Sequence, residues 1–352
     1  MFSSILRSSL VALVVSTIVV TATQEVTLKV SGPEYAKGVD NLKVKTTLTN
    51  TGSDNLSLLN DPRSILDTAP TDSFRIVGSG GTSPAFSGMR LKYDPSVAAK
   101  MQDALLTTLA PGQSVDVTHD LSSAYNFTSS GEDSYDISPS TLFFVVDPST
   151  REVSTLTAKV ESTLKSKLDG TLAIARRAPM HKRASFNGCS ESQQSDIQAA
   201  IPVANTYASE AVSYLQGISS DTSRFDTWFG AYTTEDRNTV LDHFNNMAAQ
   251  GYDNYSYDCS TCVRPGVFAY VYPTQFGTIY LCDVFWRVGV SGTDSKAGTL
   301  VHESSHFDRL AGTRDYAYGQ PTAQRLANEA PELAIRNADS HEYFAENTPS
   351  LN

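Results

Sequence analysis

Between Thr23 and Lys167 apolar positions alternate with polar ones over short runs: Val26, Leu28 and Val30; Leu42, Val44, Thr46 and Leu48; Met89 to Tyr93; Val115 and Val117; Leu142 to Val146. A period of two sends successive side chains to opposite faces of a strand, so each run predicts a half-buried strand. The runs are separated by turn formers such as Thr51-Gly52, Gly78 to Gly81 and Ala110-Pro111-Gly112. Together they predict a small antiparallel β-sandwich. One stretch departs from the pattern. In Asp94 to Leu109 an aspartate stands where it caps, Pro95 suits a first helical position, and Val97, Met101 and Leu105 recur every four residues. That predicts a short helix or an excursion between strands.

Beyond residue 184 the period lengthens. Ser190 and Gln193 have capping-box spacing, and Ile197, Ile201, Ala204, Ala208, Ala211 and Leu215 follow at helical intervals. Pro202 lies inside this run, predicting a kink or a division of the helix. A second helix is predicted from Thr234 through Val240, Phe244 and Met247, with His243 on it as a surface or packing residue. The aromatic and β-branched runs Val267 to Tyr272 and Thr278 to Phe285 predict a hairpin. A short helix near Thr322 to Asn328 and a last one from Pro331 through Leu333, Asn337, His341 and Phe344 complete the pattern. On the last, Asp339 and Glu342 are three residues apart and share a face.

A chain of 352 residues is long enough for two domains. Residues 1–22 combine Arg7, an apolar run from Leu10 to Val20 and small residues ending at Ala22, the form of a secretory signal peptide. The mature protein is then expected to be secreted, a monomer and free of the membrane. Between the two patterns lies an irregular basic stretch with the pairs Arg176-Arg177 and Lys182-Arg183, the second of which we read as a processing site. The domains are therefore expected as a propeptide over 23–183 and a mature domain over 184–352.

Charge divides at the same boundary. Residues 1–183 carry 18 basic and 18 acidic side chains, whereas 184–352 carry 9 and 20, so the net charge of −11 belongs to the second part. An acidic domain argues against nucleic acid as a partner and for cationic ligands. Ten of the eleven lysines lie at or before Lys182, leaving only Lys296 beyond it. The second part is thus almost free of lysine. The four cysteines, Cys189, Cys259, Cys262 and Cys282, also lie beyond residue 183 and allow three pairings. Sequons occur at Asn55, Asn126 and Asn254.

The candidate chemistry lies in TLVHESSHFDRLAGTRDYAYG, residues 299–319. His302, Glu303 and His306 form H-E-x-x-H, which on a helix sets two imidazoles one turn apart on one face with a carboxylate beside them. A hydrolytic zinc needs three protein ligands and one open position. Gly312 offers a turn that would carry Asp315 back as the third, and Glu329 or Glu332 on a later helix is the alternative.

H-E-x-x-H followed by Gly312, Thr313, Asp315, Tyr318 and Gly319 resembles the deuterolysin, or aspzincin, metalloendopeptidases. Within that family, residues from about Ser185 to Asn352 resemble the fungal peptidyl-lysine group in the stretches FNGCS, TWFG, FAYVYP, FGTIYLC and NADSHEYFAEN. The resemblance implies one Zn2+ held by His302, His306 and Asp315, Glu303 as general base, and Tyr318 as oxyanion donor. It implies disulfides Cys189–Cys259 and Cys262–Cys282, with Asp339 and Glu342 receiving a substrate lysine just after the scissile bond. Implied partners are protein and peptide substrates and the chain's own propeptide, as inhibitor or folding aid. The expected fold class is an all-β sandwich-like propeptide followed by a mainly α (α+β) zincin-type domain with a small sheet. Two other functions remain open at this point: a protease of broader specificity, and a non-catalytic secreted zinc-binding protein, against which the presence of Glu303 argues.

Overall fold

The structure, a computed structural model, describes residues 24–101, 105–174 and 185–352. The apolar stretch over 1–22 and the Lys182-Arg183 pair lie outside the described residues.

Residues 24–174 pack around a cluster that includes Leu28, Val44, Leu48, Ile76, Tyr135, Ile137 and Phe143. The strand Lys43–Asn50 shows how the alternation works: Val44, Thr46, Leu48 and Asn50 are buried while their neighbours face outward. It pairs antiparallel with Val26–Ser31 on one side and Ser114–Asp120 on the other. Two more four-stranded sheets run in the orders Tyr35–Lys37, Leu164–Asp169, Asp133–Pro139, Phe74–Gly78 and Val153–Thr157, Leu142–Val146, Leu56–Leu59, Leu106–Leu109.

This region differs from a simple antiparallel sandwich in two respects. Lys159–Ser162 runs parallel to Val26–Ser31, and Leu164–Asp169 runs parallel to Tyr35–Lys37. Strands that return to a sheet edge from far along the chain are free to take either direction, whereas a tight hairpin allows only one. The helix is also shorter than the Asp94 to Leu109 interval. It spans Pro95–Ala99, with the Asp94 carboxylate accepting from the Ser96 and Val97 amides, and Leu106–Leu109 is a strand.

The part from 185 to 352 holds the helices Glu191–Gly217, Ser223–Phe229, Thr234–Gln250, Lys296–Ser305, Gln320–Glu329, Pro331–Ala334 and Ala338–Glu346. The first carries the capping box and runs unbroken through Pro202. That proline is on the exposed face, as is Gln198, whose carbonyl loses its helical partner on the side of the helix that faces solvent. The last predicted helix is divided at Asn337, which is extended and gives its side chain to another segment. Cys189 bonds Cys259 and Cys262 bonds Cys282, the pairing the resemblance implied.

The sheet of this part has the order Ser185–Asn187, Ser256–Asp258, Thr278–Leu281, Val267–Val271, and then Arg90–Tyr93. The fifth strand comes from the other part of the chain. Read as one of the sandwich strands, Met89 to Tyr93 instead pairs antiparallel with Val267–Val271, with Tyr270 opposite Leu91 and Ala269 opposite Lys92. All four of its residues are buried. A separate apolar cluster joins the two parts here, with Met89, Leu91 and Tyr93 against Val267, Tyr270 and Tyr318.

Candidate active site

The helix Lys296–Ser305 is buried at every residue and starts at Ser295, whose hydroxyl accepts from the Gly298 amide. Glycine at 298 is a matter of space. A Cβ there would run into the carboxylates of Glu346 and Glu342 as they stand, so the bare backbone lets the acidic face of Ala338–Glu346 lie against this helix without displacing them.

The turn after His306 is built by short-range bonds. Gly312, at φ 59°, reverses the chain where a side chain would be strained. Thr313 then bonds back to the helix twice, through its amide to the Ser305 carbonyl at 3.1 Å and through its hydroxyl to Ser305 Oγ at 2.6 Å. Asn337 fixes the next residues by accepting from the Tyr316 and Ala317 amides at 3.0 and 3.1 Å. The break in the last helix thus serves the loop that carries Asp315.

Three atoms meet as a result. Asp315 Oδ1 lies 3.3 Å from His302 Nε2 and 3.2 Å from His306 Nε2. His306 Nδ1 lies 3.0 Å from the Thr313 carbonyl, to which it donates, leaving Nε2 with its lone pair directed at the others. All three atoms are buried without a hydrogen-bond partner. For a tetrahedral ion with ligand bonds of about 2.0–2.1 Å, ligand atoms stand roughly 3.3 Å apart, so the set fits a divalent cation of zinc type. Glu329 and Glu332 are exposed and belong to neither cluster of candidate ligands among the described residues.

Electrostatics favour positive charge among these groups. Burial disfavours an imidazolium at His302, yet Asp315, Asp339 and Glu342 together hold its pKa well above the usual histidine range. Burial likewise works against the Asp315 carboxylate, but His306 and His302 hold it well below the ordinary value. A dication bound between neutral imidazoles answers the same demand.

Glu303 presents one oxygen, Oε1, to the Lys92 amide at 2.8 Å and keeps Oε2 buried and unpartnered. Burial pushes its carboxyl up to about 8, with His302 opposing and Asp315 adding to the rise. Tyr318 donates its hydroxyl to the Leu91 carbonyl at 3.1 Å, and burial keeps that phenol protonated. Arg63 lies 3.5 Å over the Tyr318 ring and is itself tied to Asp61.

The two carboxylates expected to receive a lysine have different surroundings. Glu342 takes the Lys92 ammonium on both oxygens at 2.6 Å. Asp339 instead accepts the Gly319 amide at 2.7 Å and stands 2.8 Å from His302 Nδ1, close enough to orient that ring although angled off a straight hydrogen bond. The second carboxylate on Lys92 is Asp294, at 2.8 Å. Asp294 also accepts from the Tyr343 hydroxyl, and Lys92 Nζ lies 4.9 Å from the Phe268 ring and 5.5 Å from Tyr343. Sequence reasoning missed Asp294, which sits in a turn with φ 53° and whose left-handed backbone is the one local oddity marking it.

Comparison with known proteins adds an independent line. A profile described as lysine-specific metallo-endopeptidase, of the aspzincin type, matches residues 214–346. The peptidyl-Lys metalloendopeptidase of Grifola frondosa is 50% identical over 352 residues, covering 99% of both chains. The chain belongs to the aspzincin metalloendopeptidase family. A peptidyl-Lys metalloendopeptidase of Pleurotus ostreatus is 51% identical to this aspzincin over 168 residues, which is 48% of this chain and 99% of that one. A solved zinc peptidase from Grifola frondosa is 52% identical, covering 47% of this chain and all of its own, with a TM-score of 0.46.

Proposed function

We propose that this aspzincin is the precursor of a secreted zinc endopeptidase that hydrolyses the peptide bond on the N-terminal side of lysine. One observation carries the reading: an ammonium group is held by Glu342 and Asp294 directly beside the cluster of His302, His306 and Asp315. Two converging carboxylates match the compact point charge of an ammonium, whereas the planar five-donor fork of arginine favours bidentate pairing with a single carboxylate. The names of the Grifola and Pleurotus relatives support the same specificity.

The proposed division of labour follows the geometry. His302 Nε2, His306 Nε2 and Asp315 Oδ1 would hold the zinc, which when bound polarises the scissile carbonyl and acidifies water. Glu303 takes a proton from the attacking water and delivers it to the leaving amine, the role suited to a buried carboxyl whose oxygen already faces an amide nitrogen. Tyr318 donates to the carbonyl oxygen as negative charge gathers there, a contribution typically worth about 3 kcal/mol. Asp339 holds the His302 ring in place from its other nitrogen.

Residues 23–183, strand-rich over the part described, are then a propeptide removed after Arg183, and 184–352 the mature enzyme. The Pleurotus relative, spanning 48% of this chain, supports a functional unit of about that size. Both disulfides lie beyond residue 184, and together with the apolar N-terminal run they support a secreted product. Lys296, the one lysine of that part, is buried with its Nζ on the Val288 carbonyl at 2.8 Å, out of reach of self-digestion.

The test is a mass-spectrometric cleavage profile of matured protein on a mixed peptide library, with and without a zinc chelator. The reading predicts chelator-sensitive cuts confined to bonds preceding lysine. Cuts that ignore lysine would discard the pocket, and cuts that persist in chelator would discard the metal.

A further inference from the structure

Without Arg90–Tyr93, the strand Val267–Val271 would be one edge of the sheet of residues 185–352, the edge beside the helix Lys296–Ser305, and an open edge next to catalytic groups is where an extended peptide adds as a further strand. That place is taken by Arg90–Tyr93. The peptide unit joining Leu91 to Lys92 is held at both ends by groups to which the mechanism assigns roles. Its carbonyl accepts from Tyr318 at 3.1 Å and its N–H donates to Glu303 at 2.8 Å. The side chain that follows this unit enters the carboxylate pair, with Nζ 2.6 Å from Glu342 and 2.8 Å from Asp294. Leu91 and Tyr93 are buried with Tyr270 and Tyr318, and Arg63 closes over the Tyr318 ring from the N-terminal side. The carbonyl, the N–H and the side chain about this one peptide unit thus each meet a group that the reading assigns to a substrate with lysine after the scissile bond.

We propose that Arg90–Tyr93 is a built-in competitive ligand: the N-terminal part closes the site in cis by presenting Lys92 as the lysine of a mimicked substrate. This rests on the reading of Glu342 and Asp294 as the lysine pocket. It differs from a cap that merely covers the metal ligands, because main chain, side chain and register all follow the substrate pattern. A tethered ligand acts at an effective concentration on the order of millimolar, which lowers the apparent affinity for any peptide in trans by the fraction of molecules that are open.

The experiment uses the full-length chain carrying Glu303→Gln, so that nothing is hydrolysed, and fluorescence anisotropy of a labelled hexapeptide with a central lysine or, in a matched probe, arginine. With Lys92 intact the lysine probe should bind weakly. Lys92→Met keeps the stem and removes the ammonium, and should tighten binding of the lysine probe at least about tenfold. Lys92→Arg keeps the charge in a shape the pocket rejects and should give an intermediate gain; it also serves if the methionine variant does not fold, as circular dichroism would show. Equal binding of the lysine probe to the intact chain and to the folded variants would overturn closure in cis while leaving the pocket standing. If no variant prefers the lysine probe to the arginine one, the pocket itself fails and this inference falls with it.

Discussion

Two lysines of the strand-rich region, Lys45 and Lys92, show how little a residue type says without its surroundings. Lys45 stands on a strand that alternates regularly, faces water, and pairs with Asp116 at 2.7 Å with about half of each side chain exposed (49% and 52%). Lys92 stands on a strand with no alternation, is 2% exposed, and meets Glu342 and Asp294 from the other part of the chain. An exposed pair exchanges one set of water contacts for another and gains little. A buried ammonium has no water to return to, so its carboxylates are a condition of burial. The first strand belongs to its own sheet; the second belongs to the site.

Glu342→Gln should separate the two most strongly. Removing one member of a buried pair leaves the other charge short of a partner, a loss of about 3–5 kcal/mol. The loss is read from denaturant unfolding of the full-length chain, and the matched Asp116→Asn variant should leave the midpoint where it was. An unchanged midpoint in Glu342→Gln would mean that Lys92 is not held as described.

Core substitutions should divide along the same line. Leu48→Ala removes a fully buried side chain from the cluster of residues 24–174 and should cost about 2–5 kcal/mol there. Both tryptophans, Trp228 and Trp286, lie beyond residue 184, so their fluorescence reports the other part. Circular dichroism should show an early loss of strand signal in this variant while the tryptophan transition moves much less. Equal shifts in both probes would mean that the two parts unfold as one.

The site was largely legible because its grammar is local. H-E-x-x-H sets two candidate ligands and a candidate base on one turn of helix, and Gly312 signals the reversal that returns Asp315. The pattern over Met89 to Tyr93 was legible as a strand, yet its partner was not. Leu91 and Lys92 alternate with nothing, and the charges that let Lys92 be buried lie 202 and 250 residues away. Asp294 shares this difficulty, since a lone aspartate in a Gly-Thr-Asp-Ser turn reads as a turn former. The division of the last helix at Asn337 was hidden for the same reason: its side chain answers amides of Tyr316 and Ala317, a demand invisible in the helical period. Asp339 and Glu342 were read as one pair because they share a face, and both do reach His302 Nδ1, at 2.8 and 3.3 Å, while only Glu342 also takes the Lys92 ammonium.

Acidification probes a buried histidine pair of residues 185–352. His341 and His243 meet through Nε2 and Nδ1 at 3.0 Å. Burial holds both neutral, pushing His341 down to about 3 and His243 to about 4. Unfolding lets them return to the ordinary value near 6.5. Between those limits the unfolded chain binds more protons, so the stability they contribute is complete above about pH 6.5 and falls as the pH drops towards 4. The tryptophan-monitored thermal midpoint should decline over that window, and His243→Gln should make the decline shallower. A midpoint that is flat from pH 7 to 4.5 would contradict the burial of this pair.

The smallest effect is expected where the comparison began. Lys45→Ala breaks an ion pair whose members are both well hydrated, and the Asp116 carboxylate keeps its second contact with the Thr47 hydroxyl. The Asp116 carboxyl is held below its usual pKa first by Lys45 and then by Thr47, so the substitution should let that pKa rise without a measurable shift in the unfolding midpoint. Added salt distinguishes the two lysines further. Screening reaches an exposed pair readily and a buried one poorly. Raising ionic strength should therefore reproduce the Lys45→Ala change in the Asp116 titration while leaving weak peptide binding to the intact Glu303→Gln chain in place. A site that opened to the lysine probe in salt would show that Lys92 is held as loosely as Lys45.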